Sequence, residues 1–192
     1  VTIYSISGTT FTKLSNPSSL PAGNGQGVSW SADMRFLAVA HTTTPFVTIY
    51  SRGGSTFTKL TNPASLPAGN AVDCAFSPDQ KLLIVAHTAL PRLTVYLVDN
   101  STTPVFEKID NPVSTEGDPT GLGWSLDGEF LGVAHAGGVF LTVYETRKVS
   151  TSVALKALRI LGDSTPLADL VTSSGAKADQ LRDEYFGSLH EV

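Results

Sequence analysis

Three histidines occupy the same position in a repeating sequence. His41, His87 and His135 each follow an alanine at the end of an apolar run. Imidazoles at equivalent positions could bind a metal ion or a ligand. However, no acidic residue sits directly beside them in the sequence, and polar side chains of this kind usually form hydrogen bonds to a neighbouring element. We therefore expect the three histidines to be structural, and metal binding is the alternative.

Three aspartates also recur: Asp33, Asp79 and Asp127. A catalytic or metal-binding carboxylate is conceivable at such a position. An aspartate in a tight turn nevertheless usually accepts hydrogen bonds from its own backbone. The sequence favours the structural interpretation here as well.

An aromatic side chain precedes each of these turns, at Trp30, Phe76 and Trp124. One aromatic residue per repeat is better explained by packing between repeats than by ligand stacking. The sequence has no Gly-x-Ser-x-Gly elbow, phosphate-binding loop or His-Glu-x-x-His motif. We predict no catalytic residue, no cofactor and no metal site, and the protein is expected not to be an enzyme.

Composition excludes several further classes of function. The net charge is -4 and the 13 Lys and Arg residues form no basic stripe, so nucleic-acid binding is not expected. The single cysteine, Cys74, excludes an internal disulfide and suits a buried thiol. No apolar run approaches the ~20 residues that span a bilayer, so membrane insertion is not expected. The sequence starts at Val1 inside a repeat, which suggests processing or a longer parent chain.

The elements that carry these residues follow a regular period. Val-Thr-Ile-Tyr occurs at residues 1 and 47, and Leu-Thr-Val-Tyr at residues 93 and 141, which gives spacings of 46, 46 and 48 residues. Each full period contains four segments rich in β-branched and aromatic residues, separated by Gly, Pro, Asn and Asp turns. A fixed period of this length predicts a repeat architecture.

The predicted strands of the first full repeat are residues 28–31, 36–40, 47–51 and 56–60. Those of the second are 74–77, 82–86, 93–97 and 105–109, and those of the third are 122–125, 130–134 and 141–145, with a possible fourth at 148–153. Residues 1–6 and 10–14 predict a hairpin. Four antiparallel strands in each of several repeats are typical of a propeller blade.

The turn Phe76-Ser77-Pro78-Asp79, followed by Leu83-Ile84-Val85-Ala86, resembles the YVTN and WD-repeat class of β-propellers. The resemblance implies an all-β propeller region over residues 1–147. It comprises a half blade at 1–14 and blades at about 27–60, 73–109 and 121–153, which make about three and a half blades and an incomplete ring. A lactonase branch of this class has a metal and acidic constellation, which the sequence does not show.

Residues 148–192 predict a short α-helical docking segment. Its sequence Ala157-Leu158-Arg159-Ile160-Leu161-Gly162, with Arg182-Asp183 and Leu189 further on, resembles the opening of podovirus tail adaptor proteins. That resemblance implies a position in a ring beneath the portal. YVTN-like repeats also occur in phage structural proteins, so the two resemblances agree.

Polar loops at residues 15–27, 61–70 and 110–120 suit carbohydrate or protein contacts, or plain solvated connections.

We predict a non-enzymatic bacteriophage virion protein associated with the tail or connector. Its partners would be other virion proteins or copies of itself in an oligomer, or a host-surface glycan or protein. One alternative is an extracellular binding propeller that is secreted or lies at the cell surface. Another is a lactonase-like propeller enzyme.

Overall fold

The computed structural model describes residues 1–115 and 117–146 of the 192. The predicted strand at 148–153, the predicted helical segment at 148–192 and its adaptor-like sequence lie outside the described residues. Within the described part, the protein is all-β and contains thirteen strands. No helix there is long and apolar enough to cross a bilayer.

The strands form four antiparallel sheets in which neighbours in sequence pair with each other. The first sheet is the hairpin of β1 (Tyr4–Ser7) and β2 (Thr10–Lys13). The first blade contains β3 (Gly25–Trp30), β4 (Phe36–His41), β5 (Val47–Gly53) and β6 (Thr56–Lys59). The second contains β7 (Ala71–Phe76), β8 (Leu82–His87), β9 (Leu93–Asp99) and β10 (Val105–Ile109). The third contains β11 (Asp118–Trp124), β12 (Phe130–Ala136) and β13 (Leu141–Glu145).

The predicted all-β architecture of four-stranded blades is confirmed, and the described sheets do not close into a ring. Some predicted strand boundaries were wrong: the first hairpin strand, predicted at 1–6, is Tyr4–Ser7, and the first strands of the blades show a systematic difference. The first strand of each blade begins three or four residues before its predicted start, because pairing continues past a β-bulge: Gly25 pairs with His41, Ala71 with His87 and Asp118 with Ala136. Glycine, proline and aspartate in these segments are turn-like in sequence and conceal the extension.

The hydrophobic core lies between successive sheets. Phe36 and Val47 of the first blade pack against Phe76 and Phe106 of the second, and Ile84 of the second shares a cluster with residues of the third. Burying one such side chain contributes about 1.5–3 kcal/mol. The repeated aromatic residues agree with the packing interpretation. Phe76 is edge-on to Phe106 in the first of these clusters, and Trp124 packs against the second. Trp30 is edge-on to Phe57 in a third cluster of the first blade, against which Ile3 and Leu14 also pack.

The third blade leaves exposed the face that the other blades bury. Phe130 is 41% exposed, whereas Phe36 at the equivalent position is 1% exposed. Leu141 is 56% exposed, whereas Leu93 is fully buried. This apolar face is therefore the one that a further blade would cover.

The turn between the first two strands of each blade contains a residue in the left-handed region. The φ angle is 61° at Met34, 64° at Gln80 and 71° at Gly128. In the left-handed region, a residue with a Cβ atom destabilises the folded protein by roughly 1–2 kcal/mol, whereas glycine adopts this conformation freely.

We expect Gln80→Gly to raise the free energy of unfolding by about 0.5–1 kcal/mol, because the relief of strain exceeds the added entropy of the unfolded chain. The matched change Gly128→Gln is expected to lower it by a similar amount. Urea denaturation of both variants beside the wild type measures the two effects. Destabilisation by Gln80→Gly would contradict the assignment of strain to this turn.

Candidate functional site

Each repeated histidine is buried in its own blade and bonded to a threonine on the third strand. The Nε2 atoms of His41 and His87 lie 3.0 Å from the hydroxyl oxygens of Thr48 and Thr94. The third pair, His135 and Thr142, is separated by 3.1 Å. Each imidazole is therefore bonded to a side chain of its own blade. Among residues 1–115 and 117–146, no group of three or more His, Cys, Asp or Glu side chains could hold a metal ion.

Burial also determines the charge state of two of these rings. The pKa values of His41 and His87 are lowered, chiefly because burial removes the solvent that would stabilise the imidazolium. The backbone of Thr43 lies near the His41 ring and opposes this shift, although Nδ1 of His41 makes no hydrogen bond of normal geometry within the described part. Buried neutral imidazoles of this kind are poorly placed to exchange protons with a substrate.

The repeated aspartates organise the turns of the blades. Asp33 accepts a hydrogen bond from the Ser31 hydroxyl at 2.6 Å and another from the backbone N–H of Arg35 at 3.0 Å. Asp79 makes the same contacts with Ser77 and Lys81, and Asp127 makes them with Ser125 and Glu129. These carboxylates close their own turns, as the sequence predicts.

A repeated tyrosine fixes each long loop to the blade that follows it. The hydroxyl of Tyr50 donates to the carbonyl of Ser19 at 2.8 Å, and that of Tyr96 donates to Ser65 at 2.8 Å. Tyr144 donates to Val113 in the same way. Burial raises the pKa of Tyr50 to about 12, so its hydroxyl remains a donor. The loops that were proposed as contact surfaces are thus anchored to the blades.

The first strands of the three blades, β3, β7 and β11, are edge strands of their sheets and lie side by side. In a propeller these strands line the axis. The residue that follows the β-bulge is Gly27 in the first blade, Asp73 in the second and Gly121 in the third. Asp73 is therefore a carboxylate at a position where the repeat otherwise has glycine.

Asp73 connects two blades at this inner edge. Its Oδ2 atom accepts a hydrogen bond from the backbone N–H of Leu122 in the third blade at 2.8 Å, and Oδ1 accepts one from its own neighbour Cys74 at 2.8 Å. A Cβ atom at Gly27 would lie 2.8 Å from the Cα of Asp73, so glycine is required there. Asp73 remains partly exposed.

The adjacent thiol does not provide a nucleophile. Burial, with a smaller contribution from the negative charge of Asp73, raises the pKa of Cys74 to about 12. A thiol with this pKa remains protonated near neutral pH and is unreactive.

A second departure from the repeat lies at the same boundary between blades. Arg92 stands where the other blades have Phe46 and Phe140, and its Nη1 atom donates to the carboxylate of Asp118 in the third blade. Its Nε atom is buried and has no hydrogen-bond partner among the described residues.

Sequence analysis missed Asp73, Arg92 and Asp118 because it searched for residues that recur. The informative residues are those that do not recur. The second blade alone has aspartate where the others have glycine, and arginine where the others have phenylalanine. The predicted first strand also began at residue 74, which left Asp73 in a loop.

The sequence matches no protein-family model and no curated protein. Solved structures do resemble it. A Lactobacillus plantarum protein has a TM-score of 0.62 at 21% identity over 76% of this chain and 45% of its own. A putative 6-phosphogluconolactonase from Bacteroides fragilis has a TM-score of 0.59 at 16% identity, over 67% and 36%. A periplasmic gluconolactonase from Pseudomonas aeruginosa has a TM-score of 0.55 at 21% identity, over 71% and 38%.

These similarities establish the β-propeller fold, and the chain spans less than half the length of each of these three structures. They overturn the predicted function, because two of these three propellers are described as lactonases and none of the three as a virion protein. The prediction of a bacteriophage structural protein was wrong because YVTN-like repeats specify blades, and blades serve many functions.

The buried histidines predict a pH dependence of stability. Because the pKa values of His41 and His87 are lower in the folded protein than the ordinary value of 6.5, the unfolded chain takes up protons first. The contribution of these histidines to the free energy of unfolding is complete above about pH 6.5. It decreases as the pH falls, by up to about 1.4 kcal/mol per pH unit for each residue.

We expect His87→Gln to flatten this decrease between pH 7 and 5.5, since the amide can still bond to Thr94 but does not titrate. Urea denaturation at several pH values measures the slope. An unchanged slope would show that His87 does not contribute to the pH dependence.

Proposed function

We propose that this chain supplies blades to a propeller that binds and hydrolyses sugar-acid lactones. The observation that carries the proposal is the similarity of its arc of blades to propellers described as a putative 6-phosphogluconolactonase and a gluconolactonase. A second putative 6-phosphogluconolactonase, from Bacteroides uniformis, has a TM-score of 0.57 at 11% identity over 76% of this chain. The proposal replaces the expectation that the protein is not an enzyme.

Lactone hydrolysis requires groups that activate water and stabilise the oxyanion that forms at the ester carbonyl. The product is an open-chain hydroxy acid. Within the described part, the repeated histidines and turn aspartates form hydrogen bonds inside their own blades, so the proposal does not assign these roles to them. The inner edge of β3, β7 and β11 instead presents the partly exposed carboxylate of Asp73, and this edge is where the proposal locates the reaction.

A binding propeller without catalytic activity is the second candidate. Both oxygens of Asp73 already accept backbone hydrogen bonds, and a carboxylate fixed in this way suits the recognition of ligand hydroxyls. This candidate retains the earlier alternative of a secreted or cell-surface binding protein.

A pH-stat experiment with the full-length protein and glucono-1,5-lactone tests the proposal. We expect acid release on the order of a hundredfold above the uncatalysed rate, which is the low end of what general acid–base catalysis contributes. His87→Gln is a suitable control and should retain this activity, because His87 bonds only within its blade.

Calorimetric titration with gluconate distinguishes the two candidate functions. Binding without acid release would favour the binding propeller. Neither binding nor hydrolysis at millimolar ligand would contradict both candidates.

A further inference from the structure

We propose that the ligand binds at one end of the boundary between the second and third blades, where Asp73 accepts hydrogen bonds from sugar hydroxyls and Arg92 binds an anionic group. This inference rests on the proposed function and deepens it, since it assigns the residues and the ligand class. The class is a polyhydroxy acid or its lactone, with a carboxylate or phosphate as the anionic group.

Asp73 has hydrogen-bonding capacity that the fold does not use. An ionised carboxylate has about four acceptor positions, and the described contacts occupy two of them, from Cys74 and Leu122. These two bonds fix the orientation of the carboxylate before a ligand arrives. On one side, the Gly27 backbone packs closely against Oδ1, since a Cβ atom at Gly27 would clash with it. On the other side, Gly121 is farther away, and a Cβ atom there would lie 3.9 Å from Oδ2. Oδ2 is therefore the oxygen that can accept a further hydrogen bond from a ligand hydroxyl.

Arg92 has unused donors at the same boundary. A guanidinium group has five N–H donors in a planar fork that matches a carboxylate or phosphate. Only Nη1 has a described partner, the carboxylate of Asp118, while Nε is buried and unpartnered. The Arg92 side chain is 20% exposed and that of Asp118 is 64% exposed. The arginine is thus held in place by Asp118, and Nη2 is the part of the guanidinium that is left for an anionic ligand.

Strand order places these side chains at one end of the blades. In an antiparallel sheet, β7 begins where β8 ends and β9 begins, and the register confirms it, because Ala71 pairs with His87. Arg92 closes the turn between β8 and β9: its carbonyl accepts a hydrogen bond from the N–H of His87. Asp118 opens β11, and Leu122 of the same strand reaches Asp73.

Two departures from the repeat therefore lie at one end of one boundary. In the first blade, the positions of Asp73 and Arg92 are occupied by Gly27 and Phe46, and in the third by Gly121 and Phe140. A blade can therefore fold with glycine and phenylalanine at these positions. Asp73 and Arg92 are not required for a blade to form.

The repeat supplies variants that fit the fold. Asp73→Gly and Arg92→Phe place at each position the residue that the neighbouring blades have. Val72→Ala is the matched control, because Val72 is adjacent to Asp73 and packs into the core between the second and third blades. It weakens the same boundary without removing a polar group.

Calorimetric titration of the full-length protein with gluconate and glucono-1,5-lactone, beside thermal unfolding, measures the effects. We expect Asp73→Gly to weaken both ligands about tenfold or more, the usual cost of losing hydrogen bonds to a charged group. Arg92→Phe should weaken gluconate about tenfold and the neutral lactone by less than about threefold. Val72→Ala should lower the melting temperature and change affinity by less than about twofold.

The inference is overturned if Asp73→Gly and Val72→Ala lose affinity equally at equal loss of stability, which would make Asp73 only a link between blades. It is also overturned if neither polar variant changes affinity, or if the wild type binds neither ligand at millimolar concentration. Failure of the proposed function has a different signature. Wild-type binding that depends on Asp73, without acid release from the lactone, supports the site and rejects the hydrolysis.

Discussion

The packing of one sheet face against the next is the interaction on which this structure depends. The second strand of the first blade is buried along its whole length, and the corresponding strand of the second blade is nearly so. Neither face of such a sheet can be left to water, so each blade requires a neighbour on both sides. The same requirement explains why the repeated polar residues form hydrogen bonds inside the structure, with each histidine bonded to a threonine and each tyrosine to a loop carbonyl.

The repeat made most of the fold predictable from the sequence. The sequence correctly located the third strands by the Val-Thr-Ile-Tyr motif and the second strands by the apolar run before each histidine. Both predictions succeeded because the types of the side chains reveal alternation and burial. The start of the first strand was not predictable in this way. Residues such as Gly25 and Asp118 pair through backbone atoms across a β-bulge, and backbone pairing leaves little trace in residue type.

The candidate site was missed for a related reason. Residues that recur in every blade are those that the blade needs in order to fold. In this protein, the recurring His, Asp and Tyr side chains form hydrogen bonds within the blades and to their loops. Asp73 and Arg92 became visible only once the structure aligned the blades and showed which residues differ at equivalent positions. The YVTN-like resemblance misled about function for the complementary reason, since blades of any function share its features, while the adaptor-like sequence lies outside the described residues.

The uncovered face of the third blade has a consequence for the dynamics of the described part. In an array where each unit contacts only its neighbours, the free energy of opening depends on how many interfaces a unit has. The second blade has two, whereas the third, with Phe130 and Leu141 uncovered, has one. Backbone amides of β12 and β13 should accordingly exchange with solvent sooner than those of β8 and β9. Protection would then be graded from the centre of the arc towards its edge.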